Sequence, residues 1–404
     1  MTPLESALRD EWGRLLALLV AQYRRLDLAE DGLADAFEAA ARTWPSAGTP
    51  DNPPAWLLTA ARHRILDRLR AEAVAARKLP LLAVEASVQE EAQRVLADLD
   101  APIADERLRL VLLCAHPSLA PEAAAALTLR LVLGVSTEDV ARLFLVPTTT
   151  MAARLTRARK KLAGASFSVP SGPELESRVA AVADVAYLAF TAGYAPGSGP
   201  DVLRAAVAGE AIRLVRVLRS LLPASFSGAV ELDTLLALML IQHSRRDARV
   251  SSGRLVLLPD QDRGLWHVDE VAEALSLLGP HVDAPASPYL LQALIAAEHA
   301  IAPSAGDTDW SRIASRYAEL EALTGSPVVR LNRAVAVAEA SGPLAGLALL
   351  DDLVLPGHRL PATRAELLAR AGRPDVARAS YDEAIGRCAN LAERAHLIER
   401  RAQL

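Results

Sequence analysis

The chain is short of aromatic residues, cysteine and lysine, and each shortage narrows what it can be. Its 404 residues hold 5 Phe, 5 Trp and 6 Tyr, 4% in all. Ala, Leu and Arg are abundant, so helix is favoured over sheet: the best helix formers dominate and residues suited to a pleated surface are scarce. Arg254-Leu-Val-Leu-Leu258 is the one strand-like run, and it is short. Two cysteines far apart, Cys114 and Cys388, make no disulfide framework and suit a reducing cytoplasm. No uncharged apolar run reaches the roughly 18 residues of a membrane span. The N-terminus has no basic segment leading into an apolar core, so no secretory leader is expected. The expectation is a cytoplasmic all-α protein, long enough for two to four domains.

Charge is unevenly placed. The net charge is −5, yet residues 1–164 carry 21 bases and 21 acids, which leaves 23 and 28 for residues 165–404. All three lysines, Lys78, Lys160 and Lys161, lie in the first part. That part is balanced overall but locally basic. The remainder reads as an acidic, protein-facing module.

The basic locality is Leu127–Leu162, LTLRLVLGVSTEDVARLFLVPTTTMAARLTRARKKL. Ser136 is a natural N-cap for a short helix over Thr137–Phe144, with Glu138 and Asp139 in its first turn. Leu145-Val146-Pro147 stops it, because proline has no N–H to extend the ladder. A second helix starts at Thr148-Thr149-Thr150. Five of the seven Lys/Arg in Leu127–Gly164 crowd into Arg154–Lys161, against two acids in the whole stretch. A basic second helix after a tight turn suits insertion into a phosphate-lined major groove. Val140, Ala141, Phe144, Val146, Met151 and Leu155 are expected to form the small core.

Residues 4–44 read as two amphipathic helices, with Trp12, Leu15, Leu16, Leu19 and Tyr23 at helical spacing. Asp27–Glu38 holds five carboxylates and no base, while Leu28, Leu33, Ala36 and Phe37 still share a face. The helix is expected to run to Trp44-Pro45, with a Gly/Pro loop over 46–54. The next helix starts near Ala55. Trp56, Leu57, Ala60, Ile65 and Leu69 form its apolar stripe; Arg62, His63, Arg64, Arg68 and Arg70 form a cationic face. From these residues alone, a plain helical bundle with solvated charged faces is an equal reading.

Together, LAEDGLADAFEAAARTWP, PAWLLTAARHRILDRLR and STEDVARLFLVPTTTMAARLTRARKKL resemble bacterial extracytoplasmic-function sigma factors, the group 4 members of the sigma-70 family. The first two are similar to region 2 and the third to region 4. The resemblance implies two small helical domains carried by the RNA polymerase core and bound to promoter DNA. Asp31, Asp35 and Glu38 would dock on the polymerase clamp, carboxylates suiting a basic surface. The 46–54 loop would capture a flipped −10 base. Trp56, Arg62, His63, Arg64, Asp67 and Arg70 would face the −10 element, where trapping an extruded base offsets unstacking. Trp56 is also a natural core residue. Thr149, Thr150, Ala153, Arg154 and Arg157 would face the −35 element, arginine being the usual guanine reader, with Lys160 and Lys161 on phosphates. The family's small left-handed turn residue is here Leu145.

The C-terminal half reads as helices over 174–192, 201–222, 229–247 and 268–278. Gly193–Gly199 follows no strand and contains a proline, so it is a turn rather than a phosphate loop. Cys114 and His116 are two ligands where structural zinc wants four, and a buried thiol beside a loop histidine is the simpler reading. Asp260, Gln261, Asp262 and Arg263 could be a catalytic or metal-binding set, but acids that tie down a turn are commoner. From Ala365 to Ala384, a helix, a Gly-Arg-Pro turn and a helix bearing Tyr381 fit a tetratricopeptide pattern. An earlier copy has Gly342-Pro343, and a similar element begins at Trp310 with Tyr317.

The segments LTLRL, GEAIRL, LLPDQDR, DTDW and PVVRLNRAVAVAE resemble one sigma subgroup with a long tetratricopeptide-like extension. The expected division is region 2 over 1–78, a linker over 79–106, region 4 over 107–165, a linker over 166–173, a helical extension over 174–300 and repeats over 301–404. The expected function is a non-catalytic polymerase specificity subunit. No metal or other cofactor is expected, and the resemblance implies that the extension tunes activity by binding the sigma domains, the polymerase or another protein partner. The alternative is a helix-turn-helix regulator with a helical sensor domain, which would bind duplex DNA unaided. A hydrolytic or ligand-binding activity around Asp260–Arg263 has no nucleophile–base pair behind it.

Overall fold

A computed structural model describes residues 3–75, 101–144, 146–162, 169–194, 205–223, 225–251 and 254–404. The chain divides into two compact units, Met1–Ala186 with Arg216–Phe226, and Tyr187–Val215 with Ser227–Leu404. The described residues are overwhelmingly helical, as the scarcity of aromatics predicts.

The first unit opens with α1 (Pro3–Tyr23), α2 (Leu26–Ala47) and α3 (Pro53–Ala75). Leu15, Leu16, Leu19, Leu33, Leu57 and Ile65 are fully buried among them. Gly32 brings α2 and α3 together: a Cβ there would lie 2.6 Å from Ile65 Cγ1. Helix α2 passes through Pro45 to Ala47 instead of stopping at Trp44-Pro45. Proline is tolerated because Pro45 and Ala41, whose carbonyl loses its donor, are both exposed near the helix end. Gly48, at φ 86°, ends the helix and donates to Trp44 O at 3.0 Å. Asn52 accepts from Ala55 N–H at 3.1 Å, so α3 starts at Pro53 and the connection shrinks to 48–52. The buried stripe of α3 is Leu57, Leu58, Ala61 and Ile65. Trp56, Ala60 and Leu69, expected in that stripe, are only half-buried. The stripe is rotated because α3 packs against both α1 and α2.

The second part of this unit contains α4 (Ala101–Cys114), α5 (Pro121–Leu131), α6 (Thr137–Leu143) and α7 (Thr148–Leu162). Ser136 Oγ accepts from Asp139 N–H at 3.0 Å and fixes the start of α6. Val140, Ala141, Met151 and Leu155 are buried, as are Leu127 and Leu131 of α5, on which α6 and α7 pack. Phe144 and Val146, expected in that core, are half-buried. Leu145, most of the 79–106 segment and the 195–200 loop lie outside the described residues.

The unit division passes through α8 (Pro173–Tyr194) and α9 (Ala205–Ser220). The second unit continues with α10 (Ala229–Ser244), in which every residue from Leu235 to Ile241 is buried, so the helix is enclosed on all sides there. The strand-like run yields only β1 (Val250–Ser251) paired antiparallel with β2 (Arg254–Leu255). Pro259 follows too soon for a longer strand, and residues 258–260 turn into a 3-10 helix. Helices α11 (Val268–Leu278) and α12 (Pro288–Ile301) pack on α10.

Paired helices follow: α13 (Trp310–Thr324) with α14 (Pro327–Ser341), the short α15 (Pro343–Ala348), then α16 (Arg359–Arg370) with α17 (Pro374–Arg387), and α18 (Leu391–Ala402). Small residues let the pairs close, since a Cβ on Gly346 would sit 2.5 Å from Ala334 O. Gly342 and Gly372 end helices at φ 93° and 72°. Among the described residues no helix is long and apolar enough to cross a membrane.

Candidate nucleic-acid interface

Helix α7 has two sharply different sides. Met151, Leu155, Ala158 and Leu162 are buried. Thr149, Thr150, Ala153, Arg157, Lys160 and Lys161 are exposed, with Arg154 half-buried beside them. Helical spacing puts these seven on one outward side, and α7 contains no acid. Arg157 Nε donates to Ala153 O at 3.2 Å, which lays the guanidinium along the helix. On α6, Arg142 pairs with Glu138 at 3.0 Å and Asp139 at 2.9 Å. The acids of the first reading helix are thereby occupied locally, and the outward charge of the motif comes from α7.

Helix α3 presents His63, Arg64, Asp67 and Arg70 to solvent, and Arg70 pairs with Asp67 at 3.2 Å. Arg62 is half-buried and donates from Nε to Gln22 Oε1 at 3.2 Å. Burial lowers its pKa against the opposing pull of Tyr23, whose phenol burial in turn raises. Trp56 stands edge-on to Trp44 at 5.7 Å between centroids, beside the 48–52 connection. Its ring is packed on one side and open on another. Trp44, which meets the Trp56 ring, and Asn52, which caps α3, position this end of the helix.

Arg68, counted with the cationic face, turns toward α2 instead. It binds Asp31 at 2.6 Å and Asp35 at 3.0 Å. Glu38 pairs with Arg42 one turn on, at 3.4 Å and in solvent. Asp31 and Glu38 are largely exposed, while Asp35 is half-covered. The three carboxylates therefore form an accessible acidic edge with arginine already interleaved.

Glu30 was not singled out by sequence, although it occupies a position within the apolar stripe of α2. It is 5% exposed. Its Oε1 meets Arg130 Nε from α5 at 2.9 Å, and its Oε2 meets Arg159 of α7 at 2.6 Å. The Arg130 guanidinium also lies 4.9 Å from the Trp12 ring centroid. Backbone fit reinforces the contact: a Cβ on Gly13 would meet Val132 O at 2.1 Å, and Gly134, at φ 71°, lies against Trp12. The acidic-helix bundle and the helix-turn-helix are thus docked on one another around a buried carboxylate.

Cys114 is fully buried, which pushes its thiol up. His116 Nδ1 instead meets Ser118 Oγ at 2.8 Å and accepts from Ser118 N–H at 3.2 Å. In the other unit, Asp262 accepts from Gly264 N–H at 2.8 Å. Arg263 donates to His299 O and Ala302 O at 2.7 and 2.9 Å, closing the C-terminal end of α12. Asp262 and Arg263, with Gln261 Nε2 donating to Val256 O at 3.2 Å, are tied into their loop by structural hydrogen bonds.

Residues 9–74 match Sigma-70 region 2, residues 109–162 match Sigma-70 region 4, and residues 178–281 match a family of unknown function, DUF6596. The chain is similar to Uncharacterized protein R00370 of Rhizobium meliloti (strain 1021), 39% identical over 407 residues that cover 98% of this chain and 94% of that protein. No solved structure matches. The two sigma modules in this order, with a helical region after them, place the chain in the sigma-70 family, as an extracytoplasmic-function-like sigma factor with a C-terminal extension.

Proposed function

We propose that this sigma factor reads the −35 element with α7 and the −10 element with α3, and that its extension sets how readily it does so. The observation that carries the reading is the pair of exposed cationic helix faces on modules of the two matched regions. Thr149, Thr150, Ala153, Arg154 and Arg157 read bases, arginine pairing with guanine O6 and N7. Lys160 and Lys161 hold phosphates, which gives affinity and salt dependence without sequence preference. Arg62, His63, Arg64, Asp67 and Arg70 line the melted strand, with Trp56 as a surface for an extruded base. Asp31, Asp35 and Glu38 meet the polymerase core. The protein acts as a specificity subunit and leaves bond chemistry to the core.

The Glu30 contact gives this reading a conformational step. The two promoter elements lie about 25 base pairs, or about 85 Å, apart at 3.4 Å per pair. Modules docked through Glu30, Arg130 and Arg159 do not reach both. Core binding therefore separates them, and Arg159 leaves Glu30 when α7 engages DNA. The test is run-off transcription with purified core polymerase, with the full chain and with residues 1–165. Promoter-specific transcripts whose yield changes on truncation support both parts. Equal yields remove the regulatory role of the extension, and no specific transcript from either protein removes the promoter reading.

A further inference from the structure

The extension brings His358 together with Cys388 and Glu393, which follow it by 30 and 35 residues in sequence. His358 precedes α16, Cys388 follows α17, and Glu393 lies in the first turn of α18. Their ligand atoms all fall within 4.8 Å of one another. His358 Nε2 and Glu393 Oε2 are 2.9 Å apart. Cys388 is buried, and the other two are partly exposed. We propose that His358, Cys388 and Glu393 form a binding site for a borderline transition-metal dication of the zinc type.

The donor set is one imidazole nitrogen, one thiolate sulfur and one carboxylate oxygen. That mixture selects zinc-like ions over magnesium or calcium, which take oxygen ligands alone. Tetrahedral zinc, about 2.0–2.3 Å from each ligand, holds ligand atoms about 3.3–3.8 Å apart. The His358–Glu393 pair is closer than this, at 2.9 Å, and all the ligand atoms lie within 4.8 Å of one another. Side-chain shifts of about 1 Å would accommodate the ion.

Supporting contacts hold the ligands near this arrangement. Asn390 is 2% exposed, and its side chain accepts from Ala392 and Glu393 N–H at 3.0 and 3.1 Å. That cap fixes the start of α18 and so the position of Glu393. In the metal-free chain the Cys388 thiol donates to Asn390 O at 3.4 Å, on the same short connection; metal binding releases that proton to solvent and ends the bond. His358 and Glu393 also line a cavity of about 330 Å³ with Asn332, Thr363 and His396. The cavity gives an ion its entry path and leaves a fourth coordination position for water or a small donor molecule. An ion there would tie together the ends of the last three helices.

The site does not depend on the promoter reading. The test is titration of the metal-free full chain with Co²⁺ and Zn²⁺, followed by absorption spectroscopy and calorimetry. Binding of one equivalent is expected, with tetrahedral cobalt bands and a thiolate-to-cobalt charge-transfer band that Zn²⁺ displaces. Cys388→Ser should abolish the charge-transfer band. His358→Gln and Glu393→Gln should each weaken binding at least tenfold, and Cys114→Ala should leave it unchanged. Circular dichroism and metal-free melting curves show whether each variant folds. If Cys388→Ser does not fold, absence of the charge-transfer band in the wild-type chain still overturns the proposal. So would no saturable binding by the wild-type chain, or equal binding by folded wild-type and Glu393→Gln proteins.

Discussion

Arg159, on the helix matched to promoter-reading region 4, is bound at 2.6 Å to Glu30, a buried carboxylate on the acidic helix of region 2. Arg130 holds the other carboxylate oxygen at 2.9 Å. Removing Glu30 would leave two arginines facing each other without their shared partner. Glu30→Ala should destabilise the docked arrangement by about 3–5 kcal/mol, the scale for breaking a buried ion pair. With dyes placed at Thr59→Cys and Thr156→Cys, resonance energy transfer should fall and core polymerase should bind more tightly. Unchanged transfer would show that Glu30 does not hold the modules together.

The acidic edge of α2 has a separate test. Asp31→Lys with Asp35→Lys should weaken core binding, and measured affinity would show it. Arg68 complicates the result, because it binds both carboxylates. Arg68→Ala is therefore the companion variant: it frees the two acids and should hold or raise core affinity. A fall equal to that of the double reversal would point to damage at the α2–α3 contact.

On α7, Arg154→Ala and Arg157→Ala should each cost about 1–3 kcal/mol at one guanine position of the −35 element. Lys160→Ala and Lys161→Ala should weaken binding to all sequences and shallow the salt slope. Binding across a mismatch series at several salt concentrations separates the two behaviours. A uniform loss for Arg157→Ala would place it on phosphate.

Acid should weaken the extension through His299. Burial first, then Arg245 and Arg263, hold its pKa at about 4, against 6.5 ordinarily. The folded imidazole stays neutral where the unfolded one takes up a proton. Its contribution is complete above about pH 6.5 and is lost as pH falls toward 4, by up to about 3 kcal/mol. Urea unfolding between pH 7 and 4.5 should show this decline, and His299→Gln should flatten it. Parallel pH curves for the two proteins would assign the decline to other groups.

The helix-turn-helix was legible because its signals are local: Ser136 caps, Pro147 stops and the basic residues share one side. The pairing of helices in the C-terminal region was legible for the same reason, from Gly342, Gly372 and the small residues between helices. What escaped was set by tertiary contact. Arg68 reads as one more residue of the cationic face of α3 until α2 is packed beside it. Glu30 reads as one acid among five until α5 and α7 supply two arginines. Phe144 and Val146 follow the apolar period, but the small motif encloses only part of each. Cys388 and Glu393 are close in sequence, but His358 lies 30 residues before Cys388, and only the packing of three helix ends brings it to them.

If one chain carries two promoter contacts to the polymerase core, reconstitution on genomic DNA shows it directly. Purified chain and core polymerase are combined with fragmented DNA, and transcript starts and melted bases are mapped together. The expected result is a discrete set of starts that share upstream −35 and −10 sequences, with melting only when both proteins are present. A chain that neither associates with the core nor opens any duplex alongside it would contradict the account.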